Sequence, residues 1–219
     1  MKRIIEKTED GSATLYVPEL DEHYHSVKGA WTESDHIFLK MGLRESHAKA
    51  PNVLEIGFGT GLNALLTQIE AEEQQRDIVY SGIELYPLDW ETVDALHYTD
   101  NPMYEKLHRA PWDEDVQLSP HFTLRKIKAD FTNFDYTKLP PADVVYFDAF
   151  APDKQPEVWT GSLFEALFTH MASEGILTTY CAKGVVRRML QHTGFKVERI
   201  PGPPGGKREI LRARKETTD

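Results

Sequence analysis

The chain has 219 residues, enough to bury a full core in one catalytic-sized domain, and no apolar run in it approaches the length needed to span a bilayer. The charged N-terminus M-K-R-I-I-E-K-T-E-D does not suit a secretory signal, so a cytoplasmic protein is expected, and the single cysteine, Cys181, leaves no internal disulfide or cysteine-rich zinc site. The net charge of −10 disfavours a general nucleic-acid binder, but it hides an asymmetry: from Cys181 to Asp219 ten Lys and Arg face four acids, a local +6 on a body of −16.

Residues 3–17 read as a hairpin with its turn at Asp10, Gly11 and Ser12, and a helix is expected from Trp31 or Thr32 to about Leu43. Together they form an N-terminal extension over 1–45, packed on a main domain over 46–219. His23 and His25 stand at alternate positions. No second pair has ligand spacing, so they read as a solvated strand and no metal is expected.

The stretch 52–63, N-V-L-E-I-G-F-G-T-G-L-N, organises the main domain. Its β-formers Val53, Leu54 and Ile56 run into Gly57, Gly59 and Gly61, and a helix starts near Thr60 and continues to about Ala71. Such a turn lets a ligand touch main chain and aims the helix's free N–H groups at it. The spacing G-x-G-x-G departs from the dinucleotide fingerprint, whose third glycine would fall on Leu62. Glu55, just ahead of the glycines, would oppose a pyrophosphate but could neighbour a cation, which suits the sulfonium S-adenosylmethionine. Glu55, Gly57, Phe58, Gly59, Gly61 and Asn63 are the candidate cofactor residues of this turn.

A second strand over 77–84 ends on Glu84, 23 positions after Gly61 and close to the offset of roughly 20 at which an acid of a βαβ unit meets a ribose. Residues 87–98 and 102–108 read as one long or two short helices broken at Asp100, Asn101 and Pro102, and 110–120 as a loop. The strand over 121–128 closes at Asp130 and Phe131, which could bind an adenine amine and flank its ring, or cap a helix.

The most strand-like later run, 142–147, delivers D-A-F-A-P-D-K-Q-P-E-V-W. Ligands of open α/β sheets bind at the carboxyl ends of strands, so Asp148 and Phe150 should face the pocket opened by the glycine turn, on a loop stiffened by Pro152 and Pro156. A helix from Trp159 to about Met171, a strand over 176–181 and a helix over 183–192 follow. Two antiparallel strands joined by P-G-P-P-G-G end the chain, with 207–214 as the edge. The whole is an α/β fold: a doubly wound, mostly parallel seven-stranded sheet of the Rossmann-like methyltransferase kind.

The strings Y-H-S-V-K-G-A-W-T-E-S-D-H-I-F-L, E-I-G-F-G-T-G-L-N, D-A-F-A-P-D-K-Q-P-E-V-W and G-G-K-R-E-I-L occur in that order, and the D-A-F-x-P-x-K-x-P-x-x-W element is quite specific. Over nearly the whole chain the sequence resembles the methyltransferase half of the bacterial bifunctional tRNA wobble-uridine modification enzymes, the MnmC family. The resemblance implies S-adenosylmethionine-dependent methyl transfer to the aminomethyl nitrogen of 5-aminomethyl(-2-thio)uridine at the tRNA wobble position. Larger members add a flavin-dependent oxidoreductase domain. This sequence is similar to the shorter, single-domain form, so a separate enzyme is expected to supply the aminomethyl precursor.

On this reading Asp148 is the catalytic candidate, accepting an N–H bond from the amine and aiming its lone pair. Phe150 and Trp159 would stack on the uridine or wall its pocket, while Lys183, Arg187, Arg188, Lys207 and Arg208 would meet phosphates around the anticodon stem-loop. A small-molecule amine methyltransferase or an aminopropyltransferase on the same fold is the alternative, because an acidic body suits a polyamine. A non-catalytic RNA-binding scaffold is the reading from another class.

Overall fold

The computed structural model describes residues 2–7, 13–24 and 29–217; the expected turn at Asp10, Gly11 and Ser12, and His25, lie outside the described residues. Near the N-terminus, β1 (Ile4–Lys7) pairs antiparallel with β2 (Ala13–Val17), and the short β3 (Glu22–His23) extends the pair into a three-stranded sheet. His23 therefore does lie on a strand. The helix that follows, α1 (Ala30–Ser34), widens into a π-helical segment, Asp35–Lys40, which the sequence pattern did not announce.

The main sheet is built from β4 (Asn52–Ile56), β5 (Ile78–Glu84), β6 (Asp115–Ser119), β7 (Phe122–Lys128), β8 (Ala142–Phe147), β9 (Met171–Thr179), β10 (Lys196–Pro201) and β11 (Glu209–Arg214). Its order is β10-β11-β9-β8-β4-β5-β7-β6, with β7, β5, β4, β8 and β9 mutually parallel. Two expectations are corrected here. The stretch 110–120 is not all loop: Asp115–Ser119 pairs antiparallel with β7, which makes the sheet eight-stranded. Nor is the last strand the edge. β11 sits between β9 and β10, antiparallel to both, because Ile210, Leu211 and Ala213 are buried while β10 shows no fully buried residue.

Helices α2 (Leu62–Gln74), α3 (Trp90–Asp94), α4 (Pro102–Arg109), α5 (Gly161–His170) and α6 (Gly184–Thr193) cover the sheet. The break at Asp100, Asn101 and Pro102 does give two short helices, with Asn101 capping α4 through Met103 N–H. One core joins Val53, Leu62, Leu65, Tyr80 and Tyr146 beneath α1, α2 and α4; the other joins Leu54, Ile56, Val145, Phe147, Leu163 and Val186 beneath α5 and α6. Successive residues of β4 thus alternate between the two faces, as a pleated strand requires. That alternation puts Glu55 on the Val53 side, under α2. β4 is flanked by β5 on one side and β8 on the other, so the order reverses there and a crevice opens at the carboxyl ends of β4 and β8.

Candidate active site

The carboxyl ends of β4, β5, β7 and β8 border a cavity of about 590 Å³. The turn from β4 to α2 forms its floor. Gly57 has φ +89°, and a Cβ there would lie 2.6 Å from the Asp148 carbonyl oxygen, so only glycine lets the ends of β4 and β8 touch. Gly61, also left-handed, is the N-cap of α2 and no side chain caps the helix, which leaves its first-turn N–H groups beside Leu62 and Asn63 on the cavity wall. Glu84 ends β5 and takes hydrogen bonds from the N–H groups of Gly59 (3.0 Å) and Tyr86 (2.8 Å), which fixes its carboxylate against the glycine turn.

Asp148 leaves β8 directly above this turn. Its main-chain N–H bonds Ile56 carbonyl at 3.0 Å, and its Oδ2 accepts from the Asn63 amide at 2.9 Å. Burial, then the negative charge of Glu33, pushes its pKa up to about 7; the Asn63 hydrogen bond and the Lys207 charge oppose that rise. The loop beyond is pinned twice: Trp159 Nε1–H donates to Phe150 carbonyl at 2.7 Å, and the Tyr180 hydroxyl donates to Ala149 carbonyl at 2.8 Å. Asp130 lies at the rim, its carboxylate taken by Thr132 N–H, the Thr132 hydroxyl and the Asn133 amide, and the Thr132 bond holds its pKa below the usual carboxylate range.

Of the residues singled out from the sequence, the structure brings Gly57, Phe58, Gly59, Asn63, Glu84, Asp130, Phe131, Asp148, Phe150 and Lys207 to the one cavity. Others fall elsewhere. Glu55 is fully buried behind Asn63, and Gly61 turns toward His108 rather than the cavity. Trp159 is 5 % exposed and packs on Phe147 (4.8 Å between rings), so it braces the Phe150 loop from behind instead of walling the pocket. Lys183 pairs with Asp153, and Arg187, Arg188 and Arg208 lie off the cavity lining.

Much of the basic C-terminal stretch pairs within the chain, with Arg212 and Arg214 partly covered and Lys196 and Arg199 at the surface. Arg212 and Arg214 pair with Glu45 and Glu198, Lys196 with Glu216 and Arg199 with Glu209, while Lys215 Nζ bonds the carbonyls of Phe168 and Met171. Lys207 Nζ sits 3.6 Å from the Tyr180 ring centroid, at the cavity wall.

Sequence reading missed the other side of the pocket. Tyr24, which meets Phe150 edge-on at 5.1 Å, and Glu33, Ile37 and Phe38 from α1 and its π-helical continuation all line the cavity, as does Tyr180. The N-terminal segment is thus a wall of the site, and the Asp21–Lys154 ion pair at 3.0 Å ties it to the Asp148 loop. Tyr24, Glu33, Ile37 and Phe38 all lie in the string Y-H-S-V-K-G-A-W-T-E-S-D-H-I-F-L, so the signal was present, but only long-range packing brings that string to the strand ends.

Residues 92–216 match a family model described as S-adenosyl-L-methionine-dependent methyltransferase. The chain is 30 % identical, over 98 % of its length, to the tRNA 5-methylaminomethyl-2-thiouridine biosynthesis bifunctional protein MnmC of Cupriavidus metallidurans, covering 35 % of that protein. It is 29 % identical over 87 % of its length to the protein of the same name from Idiomarina loihiensis, again covering 35 %. The chain therefore spans about a third of the length of the curated relatives it matches. Among solved structures it superposes on MnmC2 from Aquifex aeolicus with a TM-score of 0.80 at 24 % identity, covering 99 % of this chain and 71 % of that one. Spermidine synthase from Thermotoga maritima shares the fold at a TM-score of 0.57 and 14 % identity, covering 98 % and 73 %.

Proposed function

The chain belongs to the S-adenosyl-L-methionine-dependent methyltransferase family, and from that premise we propose that it methylates the aminomethyl nitrogen of 5-aminomethyl(-2-thio)uridine at the wobble position of tRNA. The observation that carries this reading is Asp148, a partly buried carboxylate with a pKa of about 7 beside the uncapped start of α2. The relatives' printed role in 5-methylaminomethyl-2-thiouridine biosynthesis supports the nucleoside.

The residues present fit the cofactor. Uncapped helical N–H groups suit a carboxylate, Glu84 offers acceptor oxygens for a ribose diol, and Asp130 with Phe131 suits an adenine amine and ring face. When bound, S-adenosylmethionine supplies a methyl group on cationic sulfur. The protein's share of the work falls to Asp148. An alkylammonium resembles lysine, near ~10.4, and an ordinary aspartate near ~3.9 is a poor base for it. At about 7, Asp148 is better matched, and its carboxylate can accept an N–H bond, orient the nitrogen lone pair and stabilise the positive charge that develops there. Glu33 adds a second negative charge facing the same space, and Phe150 and Tyr24 offer aromatic edges and faces to a base. The aminomethyl group itself must come from a separate activity, since methyl transfer consumes this amine and does not create it.

A second reading has its own observation. Glu22, Glu33, Glu84, Asp130, Asp148 and Glu157 line the cavity against one lysine, Lys207, a charge balance that also suits a small polyamine in an aminopropyl or methyl transfer. Incubation with labelled S-adenosylmethionine and tRNA lacking the modification separates the two: label in 5-methylaminomethyluridine or its 2-thio form supports the tRNA reading, and label found only in added polyamine supports the other.

A further inference from the structure

The alternation of faces along β4 puts a carboxylic acid, Glu55, under α2 with no exposure to solvent. Its Oε1 accepts a hydrogen bond from the Asn63 side-chain amide at 2.8 Å, and the same amide nitrogen donates to Asp148 Oδ2 at 2.9 Å. A primary amide has two N–H bonds, so these two contacts use both and fix the plane of the group. Asn63 is itself only 2 % exposed and sits in the first turn of α2, where its main-chain carbonyl takes the Thr67 hydroxyl at 2.7 Å. A buried acid, a buried amide and the cavity carboxylate therefore form one connected chain from the core to the reacting space.

Resting on the reading of Asp148 as the group that receives the amine, we propose that Glu55 and Asn63 are positioning residues: Glu55 holds the Asn63 amide, and Asn63 aims the Asp148 carboxylate so that Oδ1 is presented to the substrate nitrogen. In this scheme the Glu55 side chain touches neither substrate nor cofactor, and the Asn63 side chain serves Asp148 while its main-chain N–H stays with the uncapped helix start.

The protonation of Glu55 follows from its surroundings. Burial raises its pKa well above the usual carboxylate value, the negative charges of Asp148 and Glu84 act the same way, and the hydrogen bond from Asn63 opposes them. A sealed carboxylic acid whose hydrogen-bond partner among the described residues is one amide, with its Oε2 unpaired, is carried neutral, because a single neutral donor does not repay the cost of burying a charge. Neutral Glu55 still offers a carbonyl-type acceptor to Asn63 without adding a second buried charge behind Asp148. The groups that face Asp148 come from several elements: Glu33 from α1, Lys207 from the β10–β11 connection, Asn63 from α2, Glu55 from β4, Tyr80 from β5 and Tyr180 beyond β9.

The test is a 13C NMR titration of the carboxyl carbons in aspartate-labelled protein, with Asp148 assigned by its absence in Asp148→Asn. Asn63→Ala removes a bond that favours the ionised form, so the Asp148 midpoint should rise by about one pH unit, and kcat should fall about tenfold while cofactor KM stays within a few-fold. Glu55→Gln keeps the shape and the acceptor and should leave that midpoint within about 0.3 unit. A midpoint unmoved by Asn63→Ala overturns the proposal. So does a drop of about one unit in Glu55→Gln, which would show Glu55 acting on Asp148 as a charge rather than through Asn63. Should Asn63→Ala fail to fold, the Glu55→Gln titration decides alone. Because the titration contains no substrate, failure of the aminomethyl reading would appear in the turnover of Asp148→Ala and leave the NMR result standing.

Discussion

β7 and β8 are strands of one sheet, both run toward the same cavity, and an aspartate follows each, yet the two acids are chemical opposites. Beyond β7, Asp130 folds its own turn around itself: three donors from Thr132 and Asn133 satisfy the carboxylate and hold its pKa low. Beyond β8, Asp148 has one side-chain donor among the described residues, Asn63, and burial together with the like charge of Glu33 lifts it to about 7. What separates a fixed anion from a titrating one is the number of donors its own loop supplies, not its place at a strand end. The Asp148 loop instead spends its hydrogen bonds on main-chain carbonyls, through Trp159 and Tyr180, and so stays rigid without satisfying the acid.

The sharpest way to break this comparison is to remove each acid in turn. Asp148→Ala should lower kcat about a hundredfold or more with the cofactor Kd within a few-fold, whereas Asp130→Ala should raise the cofactor Kd several-fold and leave kcat nearly intact. Single-turnover rates and calorimetric titration read the two quantities separately, and exchanged phenotypes would reverse the assignment.

Proton linkage gives the next effect. Asp148 has its folded pKa raised, so it contributes stability that is present below ~4, its unfolded value, and lost as pH rises through about 7. Asp130, with its folded pKa lowered, contributes stability that is present above the unfolded value and lost as pH falls. Scanning calorimetry between pH 5 and 8 should therefore show Asp148→Asn gaining several degrees in Tm relative to the parent as pH rises, while Asp130→Asn shows no gain over that range. Turnover should rise through an apparent pKa near 7, and Glu33→Gln should move that limb to lower pH, because the like charge that raises Asp148 is gone. A limb that does not move would remove Glu33 from the electrostatics of the site.

Parts of both regions were legible in the residue order. The β-formers and glycines of 52–63 dictated strand, turn and helix start by local sterics, and the acids at 84, 130 and 148 follow apolar runs whose ends can be read directly. What escaped was set by distant partners. β6 carries only two half-buried apolar residues, Val116 and Leu118, and exists as a strand because β7 pairs with it. The order β9-β11-β10 depends on which member of an antiparallel pair is buried on both sides, although the adjacent apolar residues Ile210 and Leu211 held that signal. Likewise the +6 of the C-terminal stretch could not reveal that Arg214 pairs with Glu45, 169 residues away in sequence. Glu55 lies off the cavity for a simpler reason: a period of two decides its face, and that face is the core.

The smallest effect concerns the cations left over. Among the described residues, Lys207, Arg208, Arg187 and Arg188 make no ion pair within 4.0 Å, and they are the remaining candidates for phosphate contact. The double variant Lys207→Glu, Arg208→Glu should weaken tRNA binding several-fold, more at low salt than at high, and Arg187→Glu, Arg188→Glu, which lies off the cavity lining, should do the same with cofactor binding unchanged. Equal tRNA affinity across a salt series would return this cluster to ordinary surface.

The most direct test of the account places parent and Asp148→Ala side by side with labelled S-adenosylmethionine and tRNA bearing 5-aminomethyluridine at the wobble position, followed by digestion and nucleoside analysis. The parent should put label into 5-methylaminomethyluridine, and the variant, which still binds cofactor, should lose nearly all of it. Equal labelling by both proteins, or label that enters only a free polyamine, would contradict it.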